Sequence, residues 1–381
     1  MKSYLPSQYI NDNKFKIKHN YLIEQFSDYP EIFKKIEPLL ADGQFTLGTY
    51  VDDCEKQFAE RVGAKYAVGV GSGTDAIFLS LKAIGIKEGD EIITTPFTYI
   101  ATIGAIVTSG AKPVFVDIKD DYNIDEEKIE KAITKRTKAI VPVHWTGRPC
   151  EMDRILEIAK GNNLRIIQDA CHAIDSKYKD KNVVEYDNIA CYSMHPLKNL
   201  NVWGDGGFIT TNDDAFKRKV SLMRNHGLID RDNAEFFAYN SRLDSLQAIV
   251  ASHFLDKKIT KVTEKRIENS LLLDKLLKNI PEIILNKREK YMKEVFHLYQ
   301  ITVEDRNNLQ SFLMKNGIDA KIHYPVPMHL QPAAEYLKYK IGDLPNAERI
   351  ANKTLSLPVH EFIKINEIEY MADQIKKFYK R

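Results

Sequence analysis

Short apolar runs alternate with amphipathic stretches from Lys65 onward. Residues 65–70, 91–95 and 113–116 are apolar at most positions, which is typical of strands buried on both faces of a sheet. Each run is followed by apolar residues at helical spacing, as in residues 75–84. The alternation predicts an α/β protein whose mostly parallel sheet lies between two layers of helices.

The pattern changes after a long helical stretch, residues 243–277. Before it, further strands are predicted over residues 139–143, 164–167, 188–192 and 208–211. After it, the chain shows a strand over 296–303, a helix over 307–315, a proline-rich loop over 324–332 and a closing helix from Lys364. We therefore predict a lead-in over residues 1–29, a large domain over 30–245 and a smaller α+β domain over 246–381.

Composition excludes several classes of partner. The 381 residues are 44% hydrophobic with a formal net charge of +2, and no Lys/Arg block marks a nucleic-acid surface. The four cysteines are scattered and the ten histidines never take metal-ligand spacing, so we expect neither a disulfide framework nor a metal site. No apolar run approaches the length of a membrane span or a signal peptide. We expect a cytoplasmic protein.

Residues 193–207 carry the strongest chemical signal. They join two predicted strands, and such a loop in an α/β protein usually faces a ligand cleft. Lys198 lies two residues after a proline and a few residues before the glycine-rich stretch 204–207. A solvated surface lysine is the common alternative, but burial readily lowers the pKa of a lysine and makes it a nucleophile toward aldehydes. We interpret Lys198 as a candidate catalytic residue.

Residues 71–75, Gly-Ser-Gly-Thr-Asp, predict an anion site at the start of a helix. Free backbone N–H groups and the helix dipole favour a phosphate there, close to Gly73 and Thr74. A dinucleotide fold is the rival interpretation, but the pattern G-x-G-x-x-G is not met by glycines at 69, 71 and 73. A tight turn without a ligand is a further alternative.

Three more residues complete a consistent set. Asp169 follows the strand over 164–167, where a carboxylate needs a cation or hydrogen-bond donors, and a protonated pyridine nitrogen would serve. Helix capping is the alternative for this aspartate. Tyr99 is placed to lie against a ring, although core packing is commoner for tyrosine, and Ser193 to donate to a phosphate. Together with Lys198 and the glycine turn, these residues predict a site for pyridoxal 5′-phosphate (PLP).

The chain also resembles a known family, the DegT/DnrJ/EryC1/StrS sugar aminotransferases, over about residues 30–380. The motifs that carry the resemblance are Phe45-Thr-Leu-Gly48, Ser72-Gly-Thr-Asp-Ala76, Pro96-Phe-Thr-Tyr-Ile-Ala-Thr102, Phe115-Val-Asp117, Pro142-Val-His144, Asp169-Ala-Cys-His172, Ser193-Met-His-Pro-Leu-Lys-Asn199, Gly204-Asp-Gly-Gly207, Arg224-Asn-His-Gly227, Asn240-Ser-Arg242 and His323-Tyr-Pro-Val-Pro-Met-His329. The resemblance implies PLP fold type I, with a sheet of the seven-stranded type in the large domain.

The resemblance also implies roles for individual residues. Lys198 would bind the cofactor and move the proton, and Asp169 would pair with the ring nitrogen. The remaining cofactor contacts would be Tyr99 on the ring, Gly73, Thr74 and Ser193 on the phosphate, and Asn240 on the phosphate of the partner subunit in a homodimer. His172 stands where many members have glutamine, near the ring hydroxyl. The implied substrate residues are His195, Arg242, Tyr324 and His329.

By the same resemblance, the expected reaction is transfer of an amino group from L-glutamate to a keto-sugar, most often a nucleotide-linked one, in the biosynthesis of an amino sugar for a surface glycan such as lipopolysaccharide or for a secondary metabolite. One branch of the family replaces the lysine by histidine and dehydrates its substrate, so Lys198 favours transamination. The alternatives are a sugar phosphate or cyclitol ketone as substrate, a PLP-binding regulatory protein without turnover, and a nicotinamide dehydrogenase.

Overall fold

The computed structural model describes residues 15–186 and 189–380. Its helices are α1 Leu22–Gln25, α2 Tyr29–Asp42, α3 Thr49–Val62, α4 Gly73–Ala83, α5 Ile100–Thr108, α6 Ile129–Ala132, α7 Met152–Gly161, α8 Asp214–Met223, α9 Ser245–Lys257, α10 Ile259–Leu277, α11 Arg306–Lys315, α12 Pro345–Lys353 and α13 Ile365–Phe378. Its strands are β1 Tyr66–Val70, β2 Glu91–Thr94, β3 Lys112–Phe115, β4 Thr137–Val141, β5 Arg165–Ile166, β6 Gln168–Asp169, β7 Lys177–Tyr178, β8 Lys181–Asn182, β9 Ala190–Ser193, β10 Gly207–Thr211, β11 Ile283–Ile284, β12 Met292–Lys293, β13 Tyr299–Val303 and β14 Thr354–Leu357. Within these two ranges, no helix combines the length and the apolar character that crossing a membrane requires.

The large sheet is mostly parallel, as the apolar runs predict. Strands β3, β2, β4 and β5 pair in parallel in that order. A parallel bridge from Val143 to Asp169 continues the sheet to β6, which pairs in parallel with β9. Strand β10 then runs antiparallel to both β9 and β1. The strand predicted over 188–192 is confirmed from Ala190 onward, and Asn188 lies outside the described residues.

The carboxyl ends of the parallel strands collect the polar residues that the sequence places there. Asp169 ends β6, Ser193 ends β9, and Tyr99 precedes α5 just after β2. Asp117 follows β3, but its carboxylate accepts hydrogen bonds from the backbone N–H groups of Asn346 and Ala347 at 3.1 and 2.9 Å. Asp117 therefore caps helix α12 of the C-terminal region, and it ties that helix to the large sheet.

The stretch predicted as one helix over 243–277 is two helices. Lys258 separates α9 from α10 with φ −124° and ψ −41°, although neither glycine nor proline is near. Its ammonium group donates to the carbonyl of Gln25 at 2.7 Å and to a carboxylate oxygen of Asp28 at 2.5 Å. The interruption between the two helices thus coincides with a tertiary contact to the N-terminal region. The sequence around Lys258 does not indicate such a contact.

The two helices serve different cores. Helix α9 packs with α2 and α3 through buried residues such as Val51, Phe58 and Phe254. The later part of α10 packs instead with β13, α11 and α13 through Leu273 and Leu277. The division into a large domain over 30–245 and a small one over 246–381 stays a prediction, and we propose that the boundary between cores lies within α10.

Residues 15–24, which we call the N-terminal strap, join the C-terminal core. Ile17 is 2% exposed and belongs to the same apolar cluster as Leu273 and Ile375. Its backbone N–H donates to the carbonyl of Gly317 and its carbonyl accepts from Asp319, both at 2.9 Å. A Cβ at Gly317 would lie 3.2 Å from that of Lys16, so glycine permits this close approach.

Candidate active site

A cavity of about 960 Å³ opens at the carboxyl edge of the large sheet, between this sheet, the C-terminal region and the N-terminal strap. Nine of the residues predicted from the sequence line it. They are Gly73, Thr74, Tyr99, Asp169, His172, Ser193, His195, Lys198 and Tyr324. The structure therefore brings together most of the predicted site, from segments that lie far apart in the sequence.

Lys198 is presented to the cavity by a compact loop. Its backbone N–H donates to the carbonyl of His195 at 2.8 Å, and its own carbonyl accepts from the Asn201 side chain at 2.9 Å. The Asn199 side chain ties the loop to the carbonyl of Val295 at 3.1 Å. Burial lowers the pKa of the Lys198 ammonium group, and the negative charge of Asp169 opposes this effect. The amine is thereby made more available as a base or nucleophile than an exposed lysine would be.

The Asp169 carboxylate is fixed by donors on both of its oxygens. The Thr102 hydroxyl donates to Oδ2 at 2.7 Å, and the backbone N–H of Cys171 donates to Oδ1 at 3.1 Å. The Thr98 hydroxyl lies 2.9 Å from that of Thr102 and extends the chain of hydrogen bonds. Asp169 is 5% exposed, so a buried carboxylate with a set orientation faces the cavity.

The glycine turn forms the start of helix α4, as expected for an anion site. The Ser72 hydroxyl caps the helix by accepting from the backbone N–H of Asp75 at 3.0 Å. The first-turn N–H groups of Gly73 and Thr74 have no partner within the helix and lie at its positive end. A Cβ at Gly73 would lie 2.6 Å from that of Ser193, so glycine lets the turn approach the Ser193 hydroxyl.

His172 contributes a buried ring with an unused polar atom. It is 8% exposed and packs between Trp145 and His297, at ring-centre distances of 4.9 and 4.0 Å. Its Nδ1 is buried without a hydrogen-bond partner among the described residues. Burial, and secondarily the nearby charge of Lys198, holds the pKa of His172 well below its usual range. A neutral imidazole of this kind is able to donate to or accept from a bound group.

Tyr99 is the most accessible of the aromatic residues in the site. Its side chain is 52% exposed, and its ring lies 5.9 Å from that of Tyr324, tilted by 37°. Both residues line the cavity on the side of the C-terminal region. The role expected for Tyr99, stacking on a cofactor ring, stays a prediction.

Three predicted site residues lie apart from the cavity lining. His329 is 2% exposed, pairs with Glu348 through Nε2 at 3.1 Å and packs against Phe115. The Arg242 guanidinium donates to Asn225 at 3.0 Å, while Asn240 is exposed and its backbone pairs with the same asparagine. Within one subunit these residues do not meet the other nine, and their roles stay predictions.

Two contributions to the site are not predicted from the sequence. Thr102 follows Tyr99 by one turn of α5. This spacing puts both side chains on one side of the helix, so Thr102 could have been predicted to lie at the same edge of the sheet. The N-terminal strap lines the cavity with residues such as His19 and Tyr21. The strap has no periodic hydrophobic pattern, and it is held by residues about 300 positions later in the chain. The sequence therefore gives no indication that the strap belongs to the site.

The residues fit PLP as a group. The capped helix start, with Ser193 beside it, provides donors for a phosphate, and the fixed carboxylate of Asp169 suits a protonated ring nitrogen. The unpartnered Nδ1 of His172 and the lowered pKa of Lys198 suit a ring hydroxyl and an aldehyde.

Comparison with curated proteins gives consistent relatives. The chain is 40% identical over 94% of its length to a "Pleiotropic regulatory protein" of Geobacillus stearothermophilus, covering 97% of it. It is 38% identical to the dTDP-3-amino-3,6-dideoxy-alpha-D-galactopyranose transaminase of Aneurinibacillus thermoaerophilus, with 91% and 95% of the two chains covered. It is 35% identical to the UDP-2-acetamido-2-deoxy-3-oxo-D-glucuronate aminotransferase of Pseudomonas aeruginosa, with 88% and 93% covered.

Solved structures and a family model agree with these relatives. DesV of S. venezuelae, solved with a ketimine intermediate, superposes with a TM-score of 0.92 at 34% identity, covering 95% of this chain and 98% of that one. NtdA of Bacillus subtilis, solved with the bound cofactor PMP, superposes at 0.87 and 28% identity, covering 100% and 90%. The model of the DegT/DnrJ/EryC1/StrS aminotransferase family matches residues 27–376. The chain therefore belongs to this family of PLP-dependent sugar aminotransferases.

Proposed function

We propose that this enzyme transfers the amino group of L-glutamate to a nucleotide-linked keto-sugar, as a homodimer, in amino-sugar biosynthesis. The observation that carries the proposal is one cavity that brings Lys198, Asp169 and the glycine turn together. PLP, when bound, supplies an electron-withdrawing ring that accepts the charge left when a substrate carbon loses its proton.

The chain's own residues supply positioning and proton transfer. The lowered pKa of Lys198 leaves an amine that takes the proton from the substrate carbon and returns it on the other side of the reaction. Asp169, held by Thr102 and Cys171, would pair with the ring nitrogen of the bound cofactor and favour the protonated form of that nitrogen. Gly73, Thr74 and Ser193 would hold the phosphate and so orient the bound cofactor toward Lys198.

The relatives' names support a nucleotide-linked substrate. Two relatives act on dTDP- and UDP-linked sugars, and in both names the reacting position is carbon 3. A cavity of about 960 Å³ is at the upper end of the range for ligand pockets, so it has room for more than the cofactor. We therefore regard 3-keto sugars carried by dTDP or UDP as the first substrates to test.

The proposed dimer is supported by large exposed side chains. Phe237 is fully exposed, and Tyr99 and Ile100 are about half exposed, although all three are apolar or aromatic. Large exposed apolar groups are typical of surfaces that contact another subunit. Asn240 lies in the same loop as Phe237, and we propose that it reaches the phosphate site of the partner subunit.

Adding L-glutamate to the PLP-loaded protein should remove the cofactor's visible absorption, because the amino group moves onto the cofactor. Adding a nucleotide-linked 3-keto sugar should then restore it. Both changes are followed by absorption spectroscopy, and the aminated sugar is identified by mass spectrometry. The matched control is the same experiment with D-glutamate in place of L-glutamate, which should leave the absorption unchanged.

Each failure of this experiment has a distinct meaning. An unchanged spectrum after addition of L-glutamate would contradict the proposal that L-glutamate is the amino donor. Restoration by a sugar phosphate or a cyclitol ketone alone would contradict the nucleotide-linked substrate. A protein that binds PLP but never exchanges an amino group would favour the regulatory alternative, which the name of one relative brings into consideration.

Mixing two defective variants should restore activity if the active sites are shared between subunits. Lys198→Ala removes the base, and Asn240→Ala removes the proposed contact to the partner's phosphate. In a mixed dimer one site has both residues intact, and half of the reassociated dimers are mixed, so mixtures should reach about a quarter of wild-type activity at saturating substrate and cofactor. The measurement is the initial rate after co-refolding, with each variant alone as control. Mixtures no more active than the sum of the two variants would contradict the shared site.

A further inference from the structure

Tyr21 occupies an unusual position between the N-terminal strap and the loop that carries Lys198. Its side chain is 5% exposed. Its hydroxyl donates to the carbonyl of Leu197, the residue before Lys198, at 3.3 Å. The same hydroxyl accepts from the Arg266 guanidinium at 2.5 Å. One hydroxyl thus connects helix α10 with the backbone of the lysine loop.

Arg266 is in turn fixed to the C-terminal region. It is 2% exposed, donates to the carbonyls of Phe296 and His297 at 3.2 and 3.3 Å and pairs with Glu361 at 3.3 Å. A guanidinium has donors and no acceptor, so its Nη2 donates to the Tyr21 oxygen, and the tyrosine proton is left to donate to the carbonyl of Leu197. The direction of both hydrogen bonds, from Arg266 to Tyr21 and from Tyr21 to Leu197, is therefore defined.

The strap itself is held on both sides of Tyr21. The Tyr21 ring stacks on His360 at 4.7 Å with an interplanar angle of 26°, and Nε2 of His360 donates to the carbonyl of Lys18 at 3.0 Å. Immediately after the strap, Lys258 donates to the carbonyl of Gln25. Burial raises the pKa of Tyr21, so the hydroxyl keeps its proton and continues to donate throughout the neutral range.

We infer that Tyr21 is a positioning residue: through Leu197 it holds the Lys198 loop against the strap and the C-terminal region that close the substrate cavity. This role rests on the proposed function of Lys198 as the proton carrier. Since the strap lines the same cavity as Lys198, a shift of the strap is transmitted to the loop by this hydrogen bond.

Tyr21→Phe tests the inference, because it removes the hydroxyl and keeps the ring on His360. We expect kcat to fall about three- to tenfold with little change in KM for the keto-sugar, as the loss of one hydrogen bond to a positioned loop implies. Both half-reactions should slow by the same factor, since Lys198 serves both. In the cofactor-free protein, hydrogen–deuterium exchange should rise in peptides covering residues 194–200.

Tyr186→Phe is the matched control. Tyr186 is 7% exposed and its hydroxyl donates to the carbonyl of Tyr178 at 2.6 Å, away from the lysine loop. It should change neither kcat nor exchange in 194–200. Unchanged exchange in 194–200 for Tyr21→Phe would overturn the inference, as would a rise spread over the whole C-terminal region. A wild-type protein without transaminase activity would contradict the proposed function alone, because the exchange comparison still decides the link from Tyr21 to the loop.

Discussion

Lys198→Ala should reduce turnover by about 10³-fold or more, the largest effect expected of any single substitution in this enzyme. A positioned general acid–base group contributes about 10²–10⁴-fold, and Lys198 is expected also to hold the cofactor covalently. The rate of amino transfer from L-glutamate, followed by absorption in single turnover, is the appropriate measurement. It isolates the step in which the proton moves.

The same substitution should leave the fold intact. Burial lowers the pKa of Lys198 from 10.5, so the unfolded chain binds a proton more readily than the folded one. The sign of this linkage makes Lys198 a cost to stability at neutral pH, and the cost is lost as pH rises through about 10.5. Cofactor-free Lys198→Ala should therefore melt no lower than the wild type at pH 7, and its stability should rise less with pH.

Lys160→Ala provides a control for general effects of losing a lysine. Lys160 is exposed in the last turn of α7, outside the cavity lining. We expect full activity. A Lys198→Ala enzyme that retains more than a few per cent of wild-type single-turnover rate would contradict the assigned mechanism.

The sequence predicts the large sheet well because its strands are buried on both faces. The run over 91–95 corresponds to β2 and the helical spacing over 75–84 to α4, each within two residues. The alternation of strands and helices along the chain then predicts parallel strands, and parallel strands place Asp169 and Ser193 at the same edge of the sheet. The chemistry of the site is thus encoded locally, at the ends of strands and the starts of helices.

The C-terminal region is less predictable because its pairing is not local. Strand β14 has only four residues and is recognised by its register with β13, where Ser356 pairs with Gln300. Helix α12 begins at a proline and depends on Asp117 for its cap, more than 200 residues earlier. Neither partner is apparent from a short window of sequence.

The N-terminal strap shows the same limit more strongly. Ile17 pairs with Ile318, and Tyr21 contacts Arg266 and Leu197, so the contacts that join the strap to the rest of the protein are distant in the chain. A motif also leaves open which way a side chain points. His329 lies in a recognisable motif, yet its ring is buried against Glu348 and Phe115 and does not line the cavity.

Asp169→Asn should slow amino transfer by about 10²–10³-fold, the range seen when one preorganised electrostatic contact is removed from an active site. Asparagine has nearly the same shape and still accepts from the backbone N–H of Cys171, so the change isolates the negative charge. Without that charge the ring nitrogen of the cofactor is less readily kept protonated, and the ring withdraws electrons less strongly. Single-turnover rates with L-glutamate measure the effect.

Thr102→Val separates the charge of Asp169 from its orientation. Valine matches the shape of threonine but removes the hydroxyl that donates to Oδ2 at 2.7 Å, while the carboxylate remains. The loss of one hydrogen bond should slow the reaction only about three- to tenfold. If Thr102→Val were as slow as Asp169→Asn, the orientation of the carboxylate would matter more than its charge. If Asp169→Asn were within a few fold of wild type, the assigned pairing between Asp169 and the ring nitrogen would be wrong.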